Sequence, residues 1–468
     1  MVASMSMTVV ALSEIADHFG VTLGSVSWVV IVQGLVITAL MMPMGRLGDI
    51  IGRKKIHMAG LFTFATGTVI TALSPSFGLL IGAQIVAAIG NSMLQSVGTA
   101  MILSVFPPSD RGKVLGTQTT MVAIGMAAGP IVAGIILQFL PWQSIFLVLL
   151  IPITVAIVLG FAVLDEKRVS RGMATDKPPF DFVGAIVSAL VVVLVVLLIN
   201  NPFRIAVVSP LMIGGALFAV ILSAYFVWWE LHTESPMLEL RMFKNRVLSM
   251  ASTARLFGFI GAAAFFLLMP IYLISIRGFE EAFAGAVLFL SPVGLALSAQ
   301  ISGRLGDKFG MTLFMTVGFG SFLFTALALA FISADSPVWI LMVILFVNGV
   351  GLGTWNVSSN SMVMGAAPKA AMGVVSALTN LTRNVGSVVG QAIMTSVVVG
   401  VMLSRGFDIP LSEVADNPDA TLAYMAGWRT AFLLVAVFAL IGLVIALTTR
   451  LREESTRDKV VPTQVPQK

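Results

Sequence analysis

Gln84, Asn91 and Gln95 are spaced seven and four residues apart, so they share one face of a helix. Asn380 and Arg383 share a face with Asn384, Ser387 and Gln391, and Asn356 and Asn360 stand one turn apart beside Trp355. Gln33 adds a further amide. All of them lie inside long apolar stretches, where lipid satisfies no donor or acceptor. Such groups either bond to neighbouring helices or face a water-filled cavity, and both readings stay open here. The chemistry they offer is reversible binding of a small solute. Bond-making chemistry is not in view, because no nucleophile stands beside a base and His18, His57 and His232 all fall near the ends of apolar stretches. No glycine–lysine loop could cradle a nucleotide phosphate, and no Asp or Glu lies near the middle of an apolar stretch. An enzyme, a metal and a cofactor are therefore not expected.

The helices that must hold these groups announce themselves by repetition. Gly45-Arg46-Leu47-Gly48-Asp49-Ile50-Ile51-Gly52 returns as Gly303-Arg304-Leu305-Gly306-Asp307-Lys308-Phe309-Gly310. A charged, glycine-rich segment lacks backbone partners in hydrocarbon, so each copy is expected as a tight turn at the membrane surface. Asp49 can accept from helix N-termini and pair with Arg53, which would lock that surface in one state; simple topogenic charge is the plainer reading. The second copy lacks a basic run after Gly310, so Asp307 is expected to form the weaker latch. Pro107-x4-Gly112 is echoed by Pro368-x4-Gly373, a second sign of duplication. Internal duplication of membrane helices is the usual build of secondary transporters.

Composition agrees. The 468 residues are 58% hydrophobic and 10% charged, with a mean hydropathy of +1.01, against roughly a quarter charged in a soluble protein. Too little polar surface remains to face water, so the partner is a lipid bilayer. There is no cysteine. A window of roughly 20 apolar residues finds spans near 24–44, 56–73, 77–104, 114–138, 143–163, 182–200, 211–229, 248–274, 282–301, 311–333, 337–365, 374–404 and 428–449. Residues 1–19 would add a first helix, too short before Glu14 to cross completely, for a total of about fourteen. The spacing of the repeats leaves room for two extra helices between two sets of six. The expected division is a first six-helix bundle over 1–163, linkers and two inserted helices over 164–247, a second bundle over 248–449, and a disordered tail over 450–468. Lysines and arginines cluster on the side of the repeated octapeptides, including Arg53, Lys54, Lys55, Arg111, Lys113, Arg241, Lys369 and Arg450, whereas Arg204, Arg277, Arg405 and Arg429 fall on the other. That bias places the octapeptides and the C-terminus in the cytoplasm and explains the net charge of +5 without nucleic acid. Arg255 and Arg383 fall inside spans; for Arg255, snorkelling to the surface and a place in the cavity remain equal alternatives.

Gly45–Lys55 (GRLGDIIGRKK) resembles the most specific motif of the major facilitator superfamily, with residues 303–310 as its second copy. Gly125-x3-Gly129-Pro130-x2-Ala133-Gly134 resembles the antiporter motif of the fifth helix. Pro178-Pro179-Phe180-Asp181-x2-Gly184, Glu234-Ser235-Pro236-Met237-Leu238, Pro270-Ile271-Tyr272-Leu273 and Arg383-x2-Gly386-Ser387-x2-Gly390 are similar to marks of the fourteen-span drug:proton antiporter branch. The resemblance implies an all-α fold of two six-helix bundles, alternating access, and monomeric export of a drug-like solute driven by proton entry across the cell membrane. It implies a central pocket at Gln33, Gln84, Asn91, Gln95, Asn356, Asn360, Asn380 and Arg383. It further implies a cytoplasmic gate at Gly45, Asp49, Gly52, Arg53, Gly303, Asp307 and Gly310. The chain departs from the pattern where Ser4 replaces an aspartate, Gln84 an arginine, Ala88 a glycine, Leu150 an asparagine and Gln33 a tyrosine. Those departures bear on proton coupling. A facilitator, a carrier coupled otherwise, and a non-transporting membrane sensor are the alternatives.

Overall fold

The computed structural model describes residues 2–169, 179–201, 205, 209–333, 335–407, 414 and 417–460. Among them every regular element is helical. In chain order these are α1 (Val2–Val10), α2 (Leu12–Phe19), α3 (Leu23–Val26), α4 (Trp28–Ile51), α5 (Arg53–Ala72), α6 (Phe77–Val105), α7 (Arg111–Phe139), α8 (Gln143–Val163) and α9 (Glu166–Val169). There follow α10 (Phe182–Asn200), α11 (Pro210–His232), α12 (Arg246–Ile271), α13 (Glu281–Leu288), α14 (Leu290–Phe309), α15 (Met311–Ala330), α16 (Val338–Ala366), α17 (Met372–Ser404) and α18 (Pro418–Val460). Local signals set several starts. Ser76, Asp181, Ser209 and Asn245 each accept from a backbone N–H in the first turn of α6, α10, α11 and α12, the usual role of an N-cap.

Twelve helical segments among the described residues are long and apolar enough to cross a membrane. By that measure the count is twelve where about fourteen was expected. The first turn of α5 carries Arg53, Lys54 and Lys55, which dilute its apolar character, and residues 2–19 are split at Ala11 between two short helices. Two further expectations need correction. The octapeptides are helix, not turn: α4 runs through Asp49 to Ile51 and α14 through Asp307 to Phe309. Only Gly52 (φ 119°) and Gly310 (φ 97°) leave the helical path. The glycines within the helix serve close packing instead, since a Cβ on Gly45 would lie 2.7 Å from the Ala377 Cβ and 2.8 Å from the Gly373 oxygen. The last span also begins before the expected 428, which shortens the loop after α17, because α18 starts at Pro418, where the Asn417 Oδ1 accepts from the Asp419 N–H at 2.9 Å. Residues 408–413 and 415–416 of that loop, 170–178 of the first linker and 461–468 of the tail lie outside the described residues.

Two large hydrophobic cores and two smaller clusters organise the chain, and the largest core reaches from the second half onto Val114 and Leu115 of α7. The first gathers α1, α2, α5, α6 and α8 around Ile15, Leu80, Phe146 and Trp142. The second is built on α12 and α15–α18, where Trp355 stacks on Phe319 at 5.2 Å and Trp428 packs on Phe432 at 4.5 Å and Tyr272 at 4.9 Å. Gly318 admits Trp355, since any Cβ there would meet the Trp355 Cβ at 2.8 Å. Between the two cores, α4 and α6 meet α17, and α7 meets α14 and α16. The inserted helix α10 lies against α4 and α17, and α11 lies on α10. α11 leaves Leu211, Ile213, Leu217, Phe218, Val220 and Ile221 exposed, a surface suited to lipid.

Candidate functional site

Each repeated aspartate ends one helix and caps another from the opposite half. On α4, the Asp49 Oδ1 accepts from the Gly373 N–H at 2.9 Å and its Oδ2 from the Val374 N–H at 3.0 Å. These are the second and third residues of α17, whose N–H groups have no partner within their own helix. The same carboxylate pairs with Arg53, whose Nη2 lies 2.8 Å and Nε 3.0 Å from Oδ1. Arg53 is fully buried and also donates to the Lys369 carbonyl at 3.4 Å. On α14, the Asp307 Oδ1 accepts from the Gly112 N–H at 2.8 Å and Oδ2 from the Lys113 N–H at 2.9 Å. Gly112 and Lys113 are again the second and third residues of their helix, α7. A negative charge at that place interacts favourably with the helix dipole. Where Arg53 follows Asp49, Met311 follows Asp307, so the second aspartate has no cation four residues on.

Close approach of bare backbone makes both latches possible. A Cβ on Gly373 would lie 2.6 Å from the Asp49 Oδ1 and 2.7 Å from the Gly45 oxygen. Gly112 and Gly303 abut in the same way, each against the other's carbonyl, and Gly116 lies on the Ala299 carbonyl. Sequence reasoning took Gly112 and Gly373 only as tokens of duplication; their place five residues after a proline, at a helix start, was the signal that they receive the aspartates.

The polar stripes meet above the latches. Gln95, on α6, accepts from Arg383 Nη2 at 2.9 Å through its side chain and from Asn380 Nδ2 at 3.0 Å through its carbonyl, and it donates to the Asn91 Oδ1 at 3.0 Å. Asn91, Gln95, Asn380 and Arg383 are thus one network across the halves. Gln33 and Gln84, both buried, bond to each other inside the first half. Asn356 bonds through its carbonyl (3.0 Å) and Oδ1 (2.8 Å) to Arg255 Nη1, inside the second half, while Asn360 Oδ1 is buried without a partner. Arg255 does not snorkel: it is 4% exposed and tied to α16. Of the antiporter-type motif, Gly125 and Gly129 face Ala3 and Ser6 of α1, Ala133 is fully buried, Gly134 meets nothing, and Pro130 sits within α7. The hydrogen bonds that cross between the halves at the latches, at Thr120 and Gln300 and at Gln95 all lie between the latches and the level of Arg383. The two halves are joined at one end.

Two helical bundles joined through paired aspartate caps, one in each repeat, have the build of an internally duplicated membrane transporter. Residues 1–391 match the Major Facilitator Superfamily, and the chain belongs to that family of small-solute transporters. It is 28% identical over 444 residues to the riboflavin transporter RibZ of Clostridioides difficile, covering 94% of this chain and 92% of that protein. It is also similar to the methyl viologen resistance protein SmvA of Salmonella typhimurium (27% identity; 85% and 79% of the two chains). The multidrug efflux pump LfrA of Mycolicibacterium smegmatis is 25% identical over 89% of this chain and 82% of its own. The solved structure of the human organic anion transporter MFSD10 superposes with a TM-score of 0.64 at 15% identity, covering 95% and 96% of the two chains, a likeness of fold.

Proposed function

We propose that the chain is a monomeric secondary exporter of a small amphipathic organic solute, resident in the cell membrane with the latches and the C-terminus in the cytoplasm. In this reading α5 and the α1–α2 pair cross the bilayer with the other twelve segments, giving fourteen spans. The solute binds between the halves at the level of Gln95, Asn380 and Arg383. The present conformer is then the outward-facing one, its inner gate shut by Asp49 and Asp307. Opening that gate frees the α7 and α17 N-termini and exposes the pocket to the cytoplasm. Proton antiport is implied by the sequence resemblance, and a facilitator without proton coupling is the second reading, favoured by the lack of a mid-span carboxylate. The observation that carries the proposal is the matched pair of caps, each joining opposite halves. A bridge between Thr117 of α7 and Gln300 of α14, 3.3 Å apart through their side chains, tests it. With both changed to Cys and joined by a cleavable bifunctional reagent, dye flux from proteoliposomes should stop and should resume on reduction. Flux that continues at the unlinked rate refutes alternating access; flux that responds to no imposed pH gradient leaves the facilitator reading.

A further inference from the structure

Two guanidinium groups stand at mid-depth in the second half with no carboxylate beside them. Arg255 lies nine residues into α12 and Arg383 eleven into α17, about 14 and 17 Å along helices rising 1.5 Å per residue, in a hydrocarbon core about 30 Å thick. Close packing sets them at one level: a Cβ on Gly386, one turn from Arg383, would lie 3.2 Å from the carbonyl of Leu256, the neighbour of Arg255. Every partner they have is neutral. Arg255 Nη1 donates to Asn356 and to Ser359 Oγ (3.2 Å), its guanidinium carbon is 5.2 Å from the centre of the Phe259 ring, and its Nε is buried without a partner. Arg383 donates to Gln95. The charged group acting on Arg255 is Arg383, a second cation. The ion pairs among the described residues, Arg53–Asp49 and Arg168–Asp165, lie elsewhere.

Neutral hydrogen bonds spread a buried positive charge but do not cancel it, and a buried cation normally finds a counter-charge. Among the described residues none is paired with either arginine. We infer that the transported solute is an organic anion whose carboxylate-like group docks on Arg383, with Arg255 as a positioning residue that adds a second positive charge behind it. This rests on the carrier reading above and names the substrate class of that site. The planar fork of Arg383 suits bidentate capture of a carboxylate. Arg383 is part-buried, and its bond to Gln95 is among those that join the halves. When the anion leaves, the same guanidinium turns to Gln95 and helps hold the inner side shut, the arrangement found here.

The chain contains no cysteine, so the sign of the local field can be read directly on purified full-length protein. Ser387→Cys places a thiol one turn beyond Arg383 on its polar stripe, and Ser404→Cys, exposed at the far end of α17, serves as the control. Each reacts with an anionic (sulfonatoethyl) and a cationic (trimethylammonioethyl) methanethiosulfonate. The anionic-to-cationic rate ratio should be about tenfold higher at position 387 than at 404, within the range for a unit charge at an effective dielectric near 20. Arg383→Gln should abolish the excess and Arg383→Lys should retain it. Benzoate, but neither benzylammonium nor an equal concentration of chloride, should protect Ser387→Cys from an uncharged thiosulfonate. A ratio favouring the cation, a ratio indifferent to Arg383→Gln, no reaction with either reagent, or protection by chloride as strong as by benzoate would each overturn the organic-anion assignment. These are binding and field measurements, so they stand apart from the flux experiment on which the carrier reading depends.

Discussion

Asp49 and Asp307 do the same job with unequal means, and the difference predicts unequal mutants. Asp49 is 7% exposed and holds Arg53 as well as two backbone donors, so Asp49→Asn leaves a buried guanidinium without its counter-charge. Breaking a buried pair in that way costs about 3–5 kcal/mol. Asp307 is exposed and offers only a helix cap, a contribution of about 1 kcal/mol. Asp49→Asn should therefore open the inner face far more than Asp307→Asn, read as faster alkylation of a cysteine placed at Ala377 under the latch. Equal effects would mean that the Arg53 pair contributes nothing to closure. Gly373→Ala is the complementary test, because it leaves every charge in place but sets a methyl 2.6 Å from the Asp49 Oδ1; it should mimic Asp49→Asn in the same assay. The aspartates were legible in the sequence because a charged residue recurs inside apolar surroundings. Their partners were not, because they are backbone N–H groups on helices far along the chain, and a backbone donor carries no side-chain signature. Gln33 and Gln84 show the same limit: sequence places both amides in the membrane, and only packing shows that they bond to each other.

Helices were the most legible level, since long apolar runs have one stable solution in lipid, and the expected spans from 77–104 to 374–404 match observed helices with ends shifted by a few residues. The misreadings have separate causes. Glycines in Gly45–Gly52 and Gly303–Gly310 were taken for turn formers, yet all but the last of each serve helix-to-helix contact, a tertiary role that local propensity cannot reveal. The start of α18 at Pro418 differs from the expected 428 because Trp428 marks the apolar core of the helix, while an Asn417 cap eleven residues earlier sets its start. This reading of the glycines separates two substitutions on one helix. On α7, Gly116 lies against the Ala299 carbonyl with no room for a methyl, whereas Gly134 has nothing within 4 Å. Gly116→Ala should lower the melting temperature in nanodiscs by several degrees, through forced separation of α7 and α14. Gly134→Ala should leave it unchanged or raise it slightly, by up to about 1 kcal/mol of helix propensity. If both substitutions behave alike, helix approach at Gly116 is not what holds the halves together.

At the scale of the molecule, the proposed rocking has both latches act on a single motion, and that constrains how their mutants combine. On the rocking mechanism proposed above, both caps are made only when the halves meet at the latched end, and both are lost together when they part. The duplicated sequence made the paired halves legible; that they are clasped at one end is a property of three-dimensional contacts such as Gly116 on Ala299 and Gln95 on Arg383. For a two-state rocking equilibrium, free energies lost from independent contacts add, while the population they control saturates. Labels at Leu73→Cys and Ser404→Cys, exposed at the outer ends of α5 and α17, report the distance between the halves on the far side. That distance should be long in the present conformer and should shorten in the mutants. In Asp49→Asn/Asp307→Asn the ratio of short to long distances should equal the product of the two single-mutant factors, each 1.4 kcal/mol counting tenfold. Transport should respond differently. Each single mutant slows closure of the inner gate, so once Asp49→Asn has made that step limiting, adding Asp307→Asn slows flux further by no more than its own modest factor. A double mutant whose distance ratio falls well short of the product would show that the two clasps open in separate motions, and the rigid-body picture of the halves would have to be abandoned.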